Sequence, residues 1–244
     1  MKLADLRAQV CAANRRLVAE RLVTLTWGNV SGLDRDAGLM AIKPSGVAYD
    51  ALTPEAIVMV DLDGRVVDGD GRPSCDTPTH LELYRRFPQA LGVTHTHSAK
   101  ATAFAQARRP IPCLGTTHAD HFAGPVPVAR ALTEVEAGAD YERNTGRVIA
   151  DLFADDPELD PAITPGVLVA GHAPFAWGPS AGKSVDNAVA LEACAAMALD
   201  TFTLCGGPDA TPGLEGYVLD KHHQRKHGPA AYYGQSPEQA EHPK

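Results

Sequence analysis

Two histidines separated by a single residue, His95 and His97, constrain this chain more than any other feature. If residues 92–97 form a β-strand, both imidazoles point to the same face of the sheet, because alternate side chains share a face. Their Cα atoms would then lie roughly 6.5–7 Å apart, close enough for both rings to bind one divalent cation. His172, much later in the chain, and Asp76 supply the remaining ligand types of an open zinc site. The pattern therefore predicts a metalloenzyme.

Each of these residues also has a simpler interpretation. Asp76 precedes a predicted helix and could serve only as its N-cap. His95 and His97 could belong to a polar sheet face, which is the commoner situation for such a pair, and His172 alone carries no information. The metal hypothesis depends on all four residues occurring together, because three imidazoles and a carboxylate are a suitable donor set for a catalytic metal.

The composition favours one folded domain in a reducing compartment. The 244 residues are 44% hydrophobic and 21% charged, which is enough to build a sizeable core. The formal net charge of −8 argues against a nucleic-acid surface, so local groups would have to bind any phosphate. The five cysteines include no Cys-x-x-Cys pair, which favours free thiols and a cytoplasmic location. We expect neither a signal peptide nor a membrane partner, since no run approaches about 18 apolar residues.

Local patterns predict an α/β protein in which a mixed sheet is flanked by helices, within a single domain spanning residues 1–244. The signals are apolar periodicity, turn residues and helix-capping residues. The predicted helices are 3–21, 77–87, 98–108, 142–153 and 184–204, and the predicted strands are 22–42 with a turn at 34–38, the hairpin 57–68, and 167–170.

Two segments, residues 26–32 and 42–46, have the composition of an anion-binding loop. The first places an amide side chain between small residues, and the second combines a lysine, a hydroxyl and an accessible backbone N–H. Ser74 and Cys75, at the entry to a predicted helix, could add donors and the positive end of a helix dipole. Turns use the same residues, so each segment is weak evidence alone. The Walker-like segment 178–184 has one residue too few between its glycines and is rejected as a nucleotide site.

Two further segments carry ionisable side chains. Residues 118–121 read His-Ala-Asp-His, a short loop of the kind that often carries catalysis, although exposed polar residues are the simpler interpretation. The basic segment 220–228 could merely complement the dipole at a helix end. Tyr233 follows it, and a tyrosine can act as an acid or base when a nearby cation lowers its pKa from about 10.

Taken together, these motifs resemble the class II aldolase/epimerase family over nearly the whole chain. The resemblance is carried by the segments 26–31, 43–46 and 74–80, the two paired histidines, Gly171-His172, and the ending Ala-Tyr-Tyr-Gly-Gln at 231–235. It implies a three-layer α/β/α fold with a central mixed, largely antiparallel β-sheet. It also implies a homotetramer with active sites between subunits, in which the C-terminal tail, residues 215–244, contributes to a neighbouring subunit's site.

The resemblance assigns roles to individual residues. The implied metal ligands, with zinc as the usual ion and manganese or cobalt as alternatives, are Asp76, His95, His97 and His172. The implied substrate and phosphate contacts are Gly28, Asn29, Lys43, Ser45, Gly46, Ser74 and Cys75. The implied catalytic acid/base pair is Asp120 and Tyr233, the tyrosine coming from the adjacent chain. The residues that match supporting positions are Thr116, Glu142, His222 and Arg225.

The activity implied by the resemblance is that of the family's epimerases, which interconvert L-ribulose 5-phosphate and D-xylulose 5-phosphate by opening and re-forming the C3–C4 bond. The partner implied is therefore a small sugar phosphate, with no nucleic acid. The short Asp76, where the aldolases carry Glu, and the ending at 231–235 disfavour a sugar-phosphate aldolase of the fuculose or rhamnulose type. A non-catalytic scaffold like the adducin head is the second alternative, but such heads lack the metal histidines. One departure is Cys75, where the epimerases carry a serine, because a thiol is a weaker donor than a hydroxyl.

Overall fold

An eight-stranded β-sheet forms the centre of the molecule, and it is largely antiparallel. The structure is a computed structural model, and it describes residues 3–228 and 231–232. The strands are β1 (Gly28–Asp34), β2 (Leu39–Ile42), β3 (Val58–Asp61), β4 (Val66–Asp68), β5 (Gly92–Thr96), β6 (Val128–Ala129), β7 (Gly166–Val169) and β8 (Pro174–Gly178). Their order in space is β4-β3-β2-β1-β5-β8-β7-β6, and β6 runs parallel to β7 while the other neighbours are antiparallel. The predicted mixed sheet is confirmed.

Helices cover both faces of this sheet. They are α1 (Leu3–Ala19), α2 (Thr77–Arg86), α3 (Ala99–Ala107), α4 (Thr116–Ala119), α5 (Glu134–Gly138), α6 (Tyr141–Asp155), α7 (Ala181–Cys205) and α8 (Gly216–His227), with a 3₁₀ turn at Pro208–Ala210. One core cluster joins α2 and α6 to one face of the sheet, and another joins α1 and α7 to the opposite face. The predicted three-layer α/β/α arrangement is confirmed.

Alternation along the strands explains how one sheet supports two cores. On β3, Val58 and Val60 belong to the cluster with α2 and α6, whereas Met59 belongs to the cluster with α1 and α7. Period-two alternation produces this division, because successive side chains of a strand point to opposite faces. Thr94 on β5 follows the same rule, since its hydroxyl lies 2.7 Å from the Ser184 hydroxyl on α7. His95, the next residue, must therefore point towards the α2 and α6 layer.

Most predicted elements are confirmed within a few residues, with two exceptions. The strand predicted from residue 22 begins only at Gly28, because the preceding segment turns, with Leu25 at φ 53°. Ser98 occupies the N-cap position of α3 as predicted, but its side chain makes no capping hydrogen bond. The carboxylate of Glu192 from α7 instead accepts hydrogen bonds from the first backbone N–H groups of α3, at Lys100 (2.9 Å) and Ala101 (2.8 Å). A tertiary contact thus replaces the local cap.

Helix α7 is the longest helix in the described part of the chain and the most apolar feature of the fold. Its 25 residues have the length and composition of a membrane span, a feature that the apolar runs of the sequence did not predict. Helix α7 contacts strands β5 and β8 and lies against helices α1 and α3. Its buried residues include Ser184, Ala188, Leu191, Ala195 and Ala198, whose three-four spacing marks one packed face, and 33% of its most apolar stretch is buried.

The close approach of β5 to the start of α7 gives a stability prediction. A methyl group added at Gly92 would overlap the backbone of Ser180 and Ala181, which cannot rotate away. We expect Gly92→Ala to lower the free energy of unfolding by about 3 kcal/mol, at the upper end for overpacked cores. Gly182→Ala is the matched control, because this helical glycine has open space around it and should gain about 0.5–1 kcal/mol. Urea denaturation of both variants tests the pair, and equal stabilities would contradict the expectation.

Candidate active site

The imidazole of His95 is held in one orientation by strand β8. Its ring stacks on Phe175 with centroids 4.1 Å apart, and its Nδ1 lies 3.0 Å from the carbonyl oxygen of Pro174. A carbonyl oxygen can only accept, so Nδ1 carries a proton and Nε2 is the ring nitrogen left to bind a metal. This is the arrangement that orients a metal-binding histidine through its second nitrogen.

His97 and His172 complete a cluster with His95. Nε2 of His97 lies 3.2 Å from Nε2 of His95, and His172 comes from the turn between β7 and β8. One ligand nitrogen from each ring lies within 4.8 Å of the others. Gly171, at φ +74°, makes the turn that carries His172 to this position. The structure therefore brings together the three histidines that the sequence singled out.

Burial favours the metal-binding protonation state of His97 and His172. Burial, followed by electrostatic repulsion from His95 and His97, lowers the pKa of His172 to about 4. Burial and then His95 also lower the pKa of His97 below its ordinary value. Both rings are therefore neutral at pH 7, and a neutral imidazole nitrogen is the usual ligand form.

Asp76 lines the same cavity but stands apart from the tight histidine group. It occupies the N-cap position of α2 without making a side-chain cap, so its simpler interpretation as a capping residue is not supported. Its Oδ2 instead accepts a hydrogen bond from Asn29 Nδ2 (2.6 Å). Burial opposes ionisation of Asp76. Electrostatic attraction to His95 and His80 and the hydrogen bond from Asn29 outweigh the effect of burial and hold the pKa of Asp76 below its usual range. Its role as a fourth ligand stays a prediction.

The donor set fits a divalent metal. Nδ1 of His172 is buried and has no hydrogen-bond partner within the described residues. Leaving such a buried polar nitrogen unpaired costs about 1–3 kcal/mol. Three imidazoles beside a carboxylate are the ligands that Zn²⁺ and related ions accept. The residues present are thus suited to an ion.

A buried series of hydrogen bonds links the helix that follows Asp76 to strand β1. His80 is completely buried on α2, and its Nδ1 lies 2.7 Å from the Ser31 hydroxyl, which in turn lies 2.8 Å from the Tyr84 hydroxyl. The backbone N–H of His80 donates to the Asp76 carbonyl (3.1 Å). Burial lowers the pKa of His80 to about 3, so the ring is neutral. The chain joins α2 to β1 at the turn that carries Asp76.

The histidines open into a cavity of about 650 Å³. Every predicted metal ligand and every predicted substrate contact lines it, together with one predicted supporting residue, Glu142. Of the four other lining residues, Thr26, Trp27 and Pro44 belong to the two predicted anion-binding segments, and Tyr141 alone was not singled out from the sequence. The position of Tyr141 directly beside Glu142 in the chain is the signal that could have identified it.

One end of the cavity is suited to an anion. Gly28 adopts φ +119°, and a Cβ there would lie 2.8 Å from the His95 carbonyl oxygen, so only glycine fits. The Asn29 amide donates to the Ser74 hydroxyl (3.1 Å), which ties this loop to the entry of α2. Lys43 is buried, and burial lowers its pKa, while its ammonium lies 5.0 Å from the centre of the Tyr49 ring.

Cys75 is an exposed residue in this anion-binding end of the cavity. Partial burial of its sulfur, followed by the negative charges of Asp76 and Glu142, raises the pKa of the thiol. The side chain is therefore a protonated thiol at neutral pH. It is a weak donor at a position where a hydroxyl would be a strong one.

Asp120 belongs to a second cluster, formed with α8. Its carboxylate accepts from Arg225 Nη2 (2.8 Å) and Nε (3.2 Å), and His222 Nδ1 lies 3.1 Å away. Burial opposes ionisation, but the hydrogen bonds from Arg225 and His222 hold the pKa of Asp120 below its ordinary value. Within one chain, none of Asp120, Thr116, His222 and Arg225 lines the metal cavity. Tyr233 lies outside the described residues.

Known sequences are similar to this chain over nearly its whole length. Residues 8–199 match the family described as Class II Aldolase and Adducin N-terminal domain. The protein named L-ribulose-5-phosphate 4-epimerase UlaF from Salmonella paratyphi C is 52% identical over 230 residues, which are 94% of this chain and 98% of that protein. The protein of the same name from Salmonella typhi matches with the same identity and coverage.

Solved structures share the fold at low sequence identity. A structure of L-fuculose 1-phosphate aldolase superposes with a TM-score of 0.74 and 24% identity, covering 91% of this chain and 95% of that one. An aldolase II superfamily protein from Pseudomonas syringae gives a TM-score of 0.74 and 20% identity over 98% of this chain and 88% of its own. At these identities the similarity supports the architecture alone.

The histidine cluster gives a prediction for metal binding. We expect the purified protein to bind about one divalent ion per chain. His97→Ala should weaken that binding at least about 100-fold, because even residues that only hydrogen-bond to metal ligands contribute about 10–100-fold to metal affinity. Ion content by mass spectrometry, together with the rise in melting temperature on adding Zn²⁺, measures both effects. His121→Ala is the matched control, since His121 lies outside the cavity and contacts Lys226. Equal ion content in the two variants would contradict the assignment.

Proposed function

The chain belongs to the class II aldolase and adducin N-terminal domain family, and on that premise we propose that it is an epimerase interconverting L-ribulose 5-phosphate and D-xylulose 5-phosphate. The observation that carries the proposal is a single cavity in which three histidines lie beside anion-binding loops. A relative that is 52% identical across nearly the whole chain and is named for this reaction supports the substrate.

The order of the strands suits a ketose phosphate. Asn29 on β1 pairs with His95 on β5, and His95 pairs with Phe175 on β8. The loop carrying Ser45 follows β2, and His172 follows β7. Neighbouring strands lie about 4.8 Å apart, so the anion loops and His172 lie on opposite sides of the histidine pair. A substrate with a phosphate at one end and a carbonyl at the other can span this distance.

The chemistry of the substrate favours bond opening over simple deprotonation. C4 is one carbon too far from the C2 carbonyl for its proton to be acidic. Opening the C3–C4 bond yields glycolaldehyde phosphate, which the anion loops around Asn29, Ser45 and Gly46 would retain. Rotation of its aldehyde and re-addition gives the epimer. A zinc ion bound by the three histidines and Asp76, or manganese or cobalt in its place, would supply Lewis-acid stabilisation of negative charge on the sugar oxygens.

Proton transfer at the C4 hydroxyl is assigned to Asp120 and Tyr233, one on each face. The Arg225 and His222 contacts keep Asp120 ionised and fixed, which suits a proton acceptor. Because Asp120 does not line the metal cavity of its own chain, a neighbouring copy has to bring it there. We therefore propose a homotetramer whose sites lie between subunits, with the tail from residue 215 taking part. Five free thiols agree with a cytoplasmic location.

Two other functions fit the family but fit this chain less well. A sugar-phosphate aldolase would release the aldehyde, and in the resemblance those enzymes carry the longer Glu where this chain has Asp76. An adducin-like scaffold would not need a metal centre, yet three histidines converge here and Nδ1 of His172 is buried without a partner among the described residues. The histidine cluster argues for catalysis, and Asp76 together with the ending at 231–235 argues for epimerisation.

A coupled assay separates these functions. We expect the protein to form D-xylulose 5-phosphate from L-ribulose 5-phosphate without accumulating free glycolaldehyde phosphate. Asp120→Asn should lower kcat at least about 100-fold, because a positioned acid or base contributes about 10²–10⁴-fold. Its ion content should equal that of the wild type, since Asp120 lies outside the metal cavity. Released glycolaldehyde phosphate would identify an aldolase, and no turnover of a metal-loaded protein would indicate a scaffold.

Cys75 gives a prediction about phosphate affinity. We expect Cys75→Ser to lower the KM for L-ribulose 5-phosphate about threefold to tenfold, since a hydroxyl donates a stronger hydrogen bond than a thiol and one such bond is worth about 0.5–1.5 kcal/mol. Inhibition by inorganic phosphate should strengthen by the same factor. Cys205→Ser is the control, because this thiol lies at the end of α7, away from the cavity. An unchanged KM would mean that the side chain at position 75 does not contact the phosphate.

A further inference from the structure

Tyr141 is an aromatic residue of the cavity to which no role has been given so far. It is the first residue of α6, and its ring centroid lies 6.1 Å from that of His172. The side chain lines the metal cavity and is 40% exposed, so it faces the space a substrate would occupy. Within the described part of the chain its hydroxyl makes no hydrogen bond. The phenol is therefore available to a ligand.

The backbone around Tyr141 is fixed. Asp140, directly before it, adopts the left-handed conformation with φ 53° and ψ 44°, which is uncommon for a residue other than glycine. The Asn144 amide donates to the Ala139 carbonyl (2.6 Å) and so closes this turn. Such a conformation persists only where surrounding contacts determine it, and it is frequent at ligand sites. The turn therefore sets the direction in which Tyr141 projects.

Helix α6 is also anchored to the helix that carries Asp76. The Thr79 hydroxyl on α2 donates to the Glu142 carbonyl (2.5 Å). One turn further on, Gly146 lets the two helices approach, because a Cβ there would lie 2.7 Å from the Glu82 Cβ. Tyr141 thus occupies a defined position relative to Asp76 and does not belong to a mobile loop.

Tyr141 lies on the His172 side of the histidine pair. His172 follows β7, whereas Asn29 lies on β1 and Ser45 follows β2. Strands β5 and β8 lie between β1 and β7, so the backbones that carry Asn29 and His172 are about 14 Å apart at about 4.8 Å per strand step. A sugar phosphate seated on the anion loops would direct its carbonyl end towards Tyr141.

The phenol of Tyr141 is a donor at neutral pH. The ordinary pKa of a tyrosine is about 10, so the hydroxyl keeps its proton at neutral pH. A protonated phenol can donate one hydrogen bond to a hydroxyl or carbonyl oxygen.

We propose that Tyr141 is a substrate-binding residue whose hydroxyl donates a hydrogen bond to an oxygen of the carbonyl end of the sugar, the C1–C3 portion. The proposal rests on the proposed function and names a residue for it. After the C3–C4 bond opens, the aldehyde half must rotate while the other half stays in place. A fixed donor that hydrogen-bonds to the C1–C3 portion holds that half still, just as the anion loops hold the phosphate of the aldehyde half.

The test compares Tyr141→Phe with Ser45→Ala in the full-length, metal-loaded enzyme. We expect Tyr141→Phe to lower kcat/KM for L-ribulose 5-phosphate about tenfold, the effect of one lost hydrogen bond. The inhibition constant for inorganic phosphate should not change, because phosphate occupies the opposite end. Ser45→Ala should weaken inhibition by inorganic phosphate. Ion content and melting temperature should match the wild type in Tyr141→Phe, since the phenol is unpaired in the fold.

The outcomes separate this inference from the proposed function. A wild-type protein that does not epimerise L-ribulose 5-phosphate refutes the proposed function. An active wild type with an equally active Tyr141→Phe variant refutes the role of Tyr141 alone. A Tyr141→Phe variant that loses inorganic phosphate binding in parallel with kcat/KM also refutes it, because the residue would then act at the phosphate end or on the whole cavity. Unchanged phosphate inhibition with reduced kcat/KM supports the proposal.

Discussion

The hydrogen bond between His95 Nδ1 and the Pro174 carbonyl is the interaction on which the site depends. It crosses from β5 to β8, fixes the tautomer, and with the Phe175 stack leaves the ring one orientation. Nε2 then faces His97, and the turn that follows β7 delivers His172 to the same point. A binding site this small tolerates little error, because metal ligands have to meet within a few tenths of an ångström. Pairing between two central strands provides that rigidity.

Different elements of the fold supply the groups that line the cavity. The anion loops come from the β1 and β2 side, the histidines from the middle, and Tyr141 with Glu142 from helix α6, which packs mainly against α2. Each group is held by backbone geometry: a left-handed glycine at Gly28, a left-handed Asp140, and the Thr79 bond between α2 and α6. Pre-organisation of this kind lowers the entropy lost on binding and keeps two separated fragments apart in space. Retaining both halves is what an epimerase requires and an aldolase does not.

Predictions from the sequence succeeded where the signal was local. The His-x-His alternation put His95 on the α2 and α6 face with Val93, as period-two geometry requires. The predictions failed where a distant residue makes the hydrogen bonds that a local residue was expected to make. Ser98 has the right identity for an N-cap, yet Glu192, remote in the chain, makes the bonds. Strand β8 was missed because it begins with a proline, ends with a glycine and is only five residues long.

The sequence by itself determined the ligand types, the helix that follows Asp76 and the face of β5 that His95 shares with Val93, because these follow from residue chemistry and short-range periodicity. Only the tertiary structure decided which of them meet. It joined Asn29 to Asp76, kept Asp120 with Arg225 and His222 outside the cavity of its own chain, and placed Tyr141 beside His172. The reason is physical: which strands become neighbours depends on long-range pairing in the sheet, and no local pattern encodes that order.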